Sequence, residues 1–235
     1  MNIKLIYGLD NIPSRKLDLV VVIDVFRSSS VICNCIKNNA AKINLFSSKL
    51  DILQIPKEKN FLFCGEENCS KINFFDKGNS PLEYLSDLSG KYVYYISGFG
   101  SKALLKSNSD NIFLIGLINL KYASYIFNKY FSDRNIYLII GGNKDVICMD
   151  DFICAGVFIS SLNFKKLDEL SLNALNLVIQ YKSILVDLLY ESPAAKYLIS
   201  CGFKKDVEYC ILKELNLLPF KINNEIVKFN EFKFS

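Results

Sequence analysis

Val20-Val21-Val22-Ile23-Asp24-Val25-Phe26-Arg27-Ser28-Ser29-Ser30 is the stretch whose reading decides the fold. Its β-branched opening is a short apolar run that suits a strand buried on both faces. An acid, a base and three hydroxyls follow within Asp24–Ser30, and Val31, Cys35 and Ile36 then recur at helical spacing. Open α/β sheets place ligand sites where the carboxyl end of a strand meets the start of a helix. The same few residues therefore suggest the fold class and the place to look for chemistry.

Outward from this stretch, Asn2 to Tyr7 reads as a strand and Ser29 to Asn38 as a helix stopped by Asn38-Asn39. Lys42 to Phe46 is a strand, Ser48 to Gln54 a short helix and Asn60 to Cys64 another strand. That alternation predicts a parallel sheet with helices on its faces. Gly65 to Ser80 lapses into a polar loop, and Pro81 to Leu88 reads as a short helix capped by Asn79-Ser80. A second series follows, with strands at Lys91 to Ile96, Ile112 to Gly116 and Ile136 to Ile140. Helices are expected over Ser101 to Lys106, Leu120 to Phe131, Asp151 to Leu162, Leu170 to Tyr190, Ala194 to Ser200 and Asp206 to Leu215. Two edge strands, Leu218 to Ile222 and Ile226 to Phe229, close the chain. The expected fold is α/β, with two lobes of mainly parallel sheet flanked by helices, residues 1–88 and 89–235, and an active-site cleft between them.

Composition narrows the function. The 235 residues are 51% hydrophobic and 22% charged, which is ordinary for a globular enzyme. A formal charge of +4 with dispersed lysines disfavours nucleic acid and leaves room for an acidic small molecule. Apolar runs such as Ile136 to Ile140 are too short to cross a membrane, and Met1 to Asp10 does not resemble a signal peptide. A cytoplasmic protein without membrane partners is expected, and homo-oligomerisation stays open. The eight cysteines form no CxxC pair and sit mostly in apolar segments, so they read as reduced core thiols. With no histidine in the chain, a Ser-His-Asp triad, a phosphohistidine and a histidine-bound zinc are excluded. No cysteine is followed six positions later by arginine, so a thiolate phosphatase loop is absent too. Acid–base work falls to carboxylates and metal-bound water.

Four segments place a polar or glycine-containing break ahead of a helix: Asp24 to Ser30, Asp76 to Pro81, Ser97 to Lys102 and Gly141 to Asp151. Free backbone N–H groups there attract anions. Asp24 suits a helix cap as well as a catalytic acid. Arg27 can grip two phosphate oxygens in its planar fork. Ser28 and Ser29 either cap the helix or donate to the same oxygens, and Ser97 and Ser101 are candidates of the same kind. Lys102 could touch phosphate but reads more naturally as solvated. Of Asp150-Asp151, one acid suffices as a helix-start signal, which leaves its neighbour as a candidate metal ligand. Magnesium takes oxygen ligands, and two or three carboxylates plus a substrate phosphate would hold it. Position 26 is Phe, so the Asp-x-Asp pair of phosphoaspartate enzymes is missing, which favours attack by metal-activated water.

Ile23-Asp24-Val25-Phe26-Arg27-Ser28-Ser29-Ser30, Gly65-Glu66, Phe75-Asp76-Lys77-Gly78-Asn79-Ser80-Pro81 and Asp150-Asp151-Phe152-Ile153-Cys154-Ala155-Gly156 together resemble the 2-phosphosulfolactate phosphatase family. The tail Gly202-Phe203, Asp206, Tyr209-Cys210 and Leu218-Pro219 resembles it as well. The resemblance implies a two-lobed α/β fold and magnesium-dependent hydrolysis of 2-phosphosulfolactate to sulfolactate, a step toward coenzyme M or sulfolactate. It supports Asp24, Arg27 and Asp151 as catalytic residues and Asn79 and Ser80 as phosphate contacts. It also supports Asp24, Glu66, Asp76 and Asp151 as metal ligands, with the division between ligand and base left open. Three positions depart from the family pattern. Phe99 stands where a polar side chain is usual, Asn143 where an arginine is usual, and Ala194 in a stretch that is usually small, polar and histidine-containing. These departures keep a second expectation open, a non-catalytic or repurposed relative that binds a phosphorylated metabolite. A thiol-based zinc protein is a third and weaker one.

Overall fold

The computed structural model describes residues 1–143 and 145–230. Its centre is β2 (Leu19–Ile23), whose five residues are all buried, as the apolar run predicts. Leu19, Val21 and Ile23 face one core with Phe113, Phe127 and Phe158, while Val20 and Val22 face another with Val31, Ile43 and Val93. A strand walled on both sides by apolar packing is how a parallel sheet is stabilised.

Around β2 lie β1 (Asn2–Tyr7), β7 (Ile112–Ile115) and β8 (Asn135–Ile140). β2 pairs in parallel with β7 on one side and with β8 on the other, and β8 pairs in parallel with β1. β3 (Lys42–Leu45), β4 (Phe61–Glu67) and β6 (Tyr92–Ile96) form a second parallel group, with β6 in the middle. Short strands β5 (Ser70–Lys71) and β9 (Lys166–Leu167), neither expected from sequence, sit at the two edges of one eleven-stranded sheet.

The tail strands are not edge strands. β10 (Pro219–Ile222) and β11 (Glu225–Lys228) form a hairpin that enters the middle of the sheet, with β11 antiparallel to β3 and β10 antiparallel to β7. It joins the two parallel groups. Strand pairing does not break at residue 88 either, because β1 and β2 pair with β7 and β8, and β6 pairs with β3 and β4.

The helices that frame the site are α1 (Ser28–Lys37), α2 (Lys49–Leu53), α3 (Gly100–Lys106), α4 (Leu120–Tyr130) and α5 (Met149–Ser160). The long helix expected over Leu170 to Tyr190 is instead α6 (Glu169–Gln180) and α7 (Leu185–Glu191), bent by 75° across a 3-10 turn. α8 (Pro193–Ser200) and α9 (Lys204–Leu212) complete the α-helices among the described residues, and Pro81–Tyr84 is a 3-10 turn rather than a longer helix. Among the described residues no single helix is long and apolar enough to cross a membrane; α6 and α7 pass such a test only as the bent pair.

Candidate active site

The carboxyl ends of β2, β4, β6 and β8 converge, and hydrogen bonds between them define the site. Asp24 follows β2 directly, and its carboxylate accepts from Ser28 N at 3.0 Å, Ser28 Oγ at 2.6 Å and Gly100 N at 2.9 Å. It therefore caps α1, as one reading allowed, and also ties α1 to the start of α3. Burial pushes the Asp24 carboxyl above its ordinary pKa, against the pull of those three bonds, and the Glu66 charge adds to the rise.

Asp150 and Asp151 lie in the first turn of α5, yet no side-chain cap is made there. Asp151 instead accepts from Val25 N at 2.8 Å and Gly141 N at 2.9 Å, bridging the ends of β2 and β8. Burial, followed by the charges of Asp150 and Asp24, holds its carboxyl well above the usual range. Asp150 accepts from Cys148 Sγ at 3.2 Å, and burial pushes its carboxyl up to about 6. Cys148 Sγ and one oxygen each of Asp150 and Asp151 lie within 4.8 Å of one another.

Arg27 closes the opposite side. It is 1% exposed, donates to Asp206 Oδ2 at 2.7 Å and to Glu66 Oε2 at 3.0 Å, and packs over the Phe203 ring at 4.4 Å. Both ends of its fork are engaged by carboxylates, which hold the guanidinium in place. Asp206 also accepts from Ser80 Oγ at 2.7 Å, and Glu66 accepts from Asn79 Nδ2 at 3.3 Å. Tyr95 OH donates to Asn79 Oδ1. Asn79 and Ser80 thus reach the network from the third motif, as partners of carboxylates.

Ser97 and Ser101 bond to each other: Ser97 N donates to Ser101 Oγ and Ser101 N to Ser97 Oγ, both at 2.9 Å. They shape the loop ahead of α3. Ser29 and Ser30 hydroxyls are buried without a hydrogen-bond partner among the described residues. The Ser29 hydroxyl is turned against Gly116, just past β7. Asp76 does not join the other acids. It is exposed, accepts from Phe63 N at 2.7 Å and pairs with Lys57, so its lone pairs brace β4 instead of facing Asp24.

Asp206 was not among the candidate residues, although it stands in the tail motif that carries the resemblance; in sequence it reads as an ordinary acid in a helix's first turn. Asn34 gave no signal at all. It is fully buried in α1, donates to Pro81 O at 2.9 Å and accepts from Tyr209 OH at 2.8 Å, which pins three motifs together. Of the departures, Phe99 packs partly into the second core, Asn143 Oδ1 accepts from Asp145 N and Val146 N within its loop, and Ala194 lies half-buried in α8.

The donor set suits a hard divalent cation. Asp24, Asp150 and Asp151 are buried carboxylates; the Asp24 charge raises Asp150, and the Asp150 and Asp24 charges both raise Asp151, a repulsion that a metal held by oxygen ligands would relieve. Glu66 lies on the Arg27 side, close enough to raise Asp24.

This fold and arrangement define a class, an α/β enzyme with buried carboxylates gathered where strands of the sheet end and helices begin. A family model described as 2-phosphosulpholactate phosphatase matches residues 9–221. The "Probable 2-phosphosulfolactate phosphatase" of Thermotoga petrophila is 31% identical over 209 residues, covering 88% of this chain and 90% of the relative. That of Clostridium tetani is 31% identical over 238 residues, covering 97% of this chain and 100% of the relative. The chain belongs to the 2-phosphosulfolactate phosphatase family, whose named activity is that of a phosphoric monoester hydrolase.

Proposed function

We propose that this protein is a magnesium-dependent phosphatase that hydrolyses the phosphate monoester of a small anionic metabolite, 2-phosphosulfolactate, to sulfolactate and phosphate. The observation that carries the metal part of this reading is the mutual repulsion of Asp24, Asp150 and Asp151 in a buried setting. The substrate part rests on the family and on the names of the relatives.

Asp24, Asp150 and Asp151 would hold the ion, while Glu66 is held on the Arg27 side by Arg27 and Asn79. Magnesium supplies there a charge that neutralises the phosphoryl oxygens and lowers the pKa of a bound water. The chain's own contribution is rigidity. Ser28 and Gly100 fix Asp24, Val25 and Gly141 fix Asp151, and Arg27 holds Glu66 and Asp206 in place. Groups held this way need no rearrangement when charge develops in the transition state.

A magnesium-titrated assay on 2-phosphosulfolactate tests the reading. Turnover is expected to need added Mg2+, to stop with a chelator, and to fall by about a hundredfold or more in Asp24→Asn and Asp151→Asn. Binding of 2-phosphosulfolactate without turnover at any Mg2+ concentration would instead identify a non-catalytic relative.

A further inference from the structure

Asn68 and Cys69 form the tight turn between β4 and β5, with φ 52° and 62°. Cys201 caps the C-terminus of α8, and Gly202 at φ 89° turns the chain toward α9. The two turns meet. Cys69 is buried against Ala195 and Leu198 of α8 and Val207 of α9, and its sulfur is hydrogen-bonded to that of Cys201. The Tyr197 hydroxyl, one helical turn before Cys201, is hydrogen-bonded to both sulfurs. The partners of Arg27 come from the same segments: Glu66 just ahead of Cys69, and Phe203 and Asp206 just past Cys201. The thiol pair is therefore a second crossing of the seam that Arg27 already bridges.

Of the eight cysteines, Cys201 is the exposed one and Cys148 is half-buried, whereas the rest are buried. Cys201 is thus the sulfur that an oxidant in solution meets, with Cys69 held directly behind it. Burial, then the bond with Cys201 and the charge of Glu66, pushes the Cys69 thiol up to about 12. Cys69 therefore stays protonated and waits for its neighbour to react first. We propose that Cys69 and Cys201 are a modification site, at which a peroxide joins the two sulfurs in a reversible disulfide that staples the β4–β5 turn to the α8–α9 turn. The Cys201 sulfur attacks one peroxide oxygen and breaks the O–O bond, giving a sulfenic acid and, with its own proton, water. Cys69 then attacks that sulfur and displaces the hydroxyl, which leaves as a second water with the Cys69 proton. Two electrons pass from the thiol pair to the peroxide, and a dithiol reductant returns them. The new bond closes a long loop of chain, which restricts the unfolded ensemble more than the folded one. None of this uses the phosphatase reading.

The experiment exposes the folded, reduced protein to a small excess of hydrogen peroxide, alkylates the remaining thiols and maps the digest by mass spectrometry. The expected product is the Cys69 peptide joined to the Cys201 peptide within one chain, lighter by two hydrogens and separated again by dithiothreitol. In Cys69→Ala the Cys201 sulfenic acid should persist and be trapped by dimedone. Wild type in which Cys201 advances to the sulfinic acid while Cys69 stays open to alkylation after unfolding would overturn the proposal, as would Cys201 joined to any other cysteine. Thermal melts test the staple: oxidised wild type is expected to melt about 5–10 °C above reduced wild type, and dithiothreitol to abolish the gain. Cys201→Ala, altered only at an exposed position, should melt alike with and without peroxide, which keeps the test open even if Cys69→Ala does not fold. An oxidised wild type that melts with or below the reduced protein would overturn the staple.

Discussion

A methyl group added at Gly100 would lie 2.6 Å from Asp24 Oδ2 and 2.7 Å from Ser28 Oγ. Neither neighbour can move freely, because Asp24 is held by three hydrogen bonds and both residues are buried. Gly100→Ala is therefore expected to destabilise the protein by about 1–3 kcal/mol, by overpacking, and to lower kcat by about a hundredfold through displacement of Asp24. Gly98→Ala, two residues away in open space, should melt like wild type. Thermal melts and steady-state kinetics on the pair check this, and equal behaviour of the two variants would remove the case for close packing against Asp24. The same contrast shows what sequence could convey about the site. Asp24 was legible as an acid at the end of a buried strand, Asp151 as an acid at a helix start, Glu66 only through the family resemblance, and Arg27 as a base close behind a buried strand. The partners of Arg27 were not, because Asp206 is 179 positions away and nothing in a helix's first turn marks an acid as bound for a distant guanidinium. Asp76 misled for the related reason that its fate was set by Lys57 and the Phe63 N–H, a local pairing with no motif of its own.

Ile226 separates an edge hairpin from a central one. Asn223 adopts φ 54° in the two-residue turn between β10 and β11, a geometry that fixes which backbone groups face β10. Leu45 N donates to Asn224 O at 2.8 Å, and two residues on, Ile226 faces β3 in the same way and pairs with Ile43. Proline at 226 would therefore remove a donor from the middle of the sheet, at an expected cost of about 3 kcal/mol or more. On an edge strand that N–H would face water and the backbone effect would be small. Urea unfolding of Ile226→Pro, with Ile226→Val as the packing control, measures the difference. Period and propensity identified the two tail strands with nearly their observed limits, and likewise β1, β2, β6 and α1. They could not say where the hairpin sits, since an amphipathic pair of strands reads alike at an edge or between two parallel groups. The division at residue 88 had the same weakness. It followed chain order, whereas β2 finds β7 and β8 far along the chain because their apolar faces complete two cores at once.

At the scale of the whole molecule, the buried acids couple folding to pH and to divalent ions. Asp150 has a carboxyl pushed up to about 6 from an ordinary 3.8, chiefly by burial, and Asp24 and Asp151 are raised as well. An acid whose pKa is higher in the folded state binds its proton more tightly there. Its stabilising contribution is complete below the unfolded value and is lost as pH rises through the folded one. Without divalent ions the protein is therefore expected to lose stability between about pH 4 and pH 7, the Asp150 share being on the order of 2–3 kcal/mol. Asp87 and Asp133 run the other way, lowered by Ser89 and Lys165, but they are exposed and gain their small effect below the ordinary carboxylate range. An ion that binds only the folded carboxylates adds stability in proportion to the logarithm of its concentration, and does so most where those groups are ionised. Urea unfolding at a series of pH values should thus show a decline that millimolar Mg2+ reverses near pH 7 and leaves unchanged near pH 4. Asp150→Asn should flatten that decline while losing much of the Mg2+ response. A wild-type profile that is level from pH 4 to pH 7 and indifferent to Mg2+ would mean that Asp24, Asp150 and Asp151 do not meet as repelling charges in solution, and the metal site would go with them.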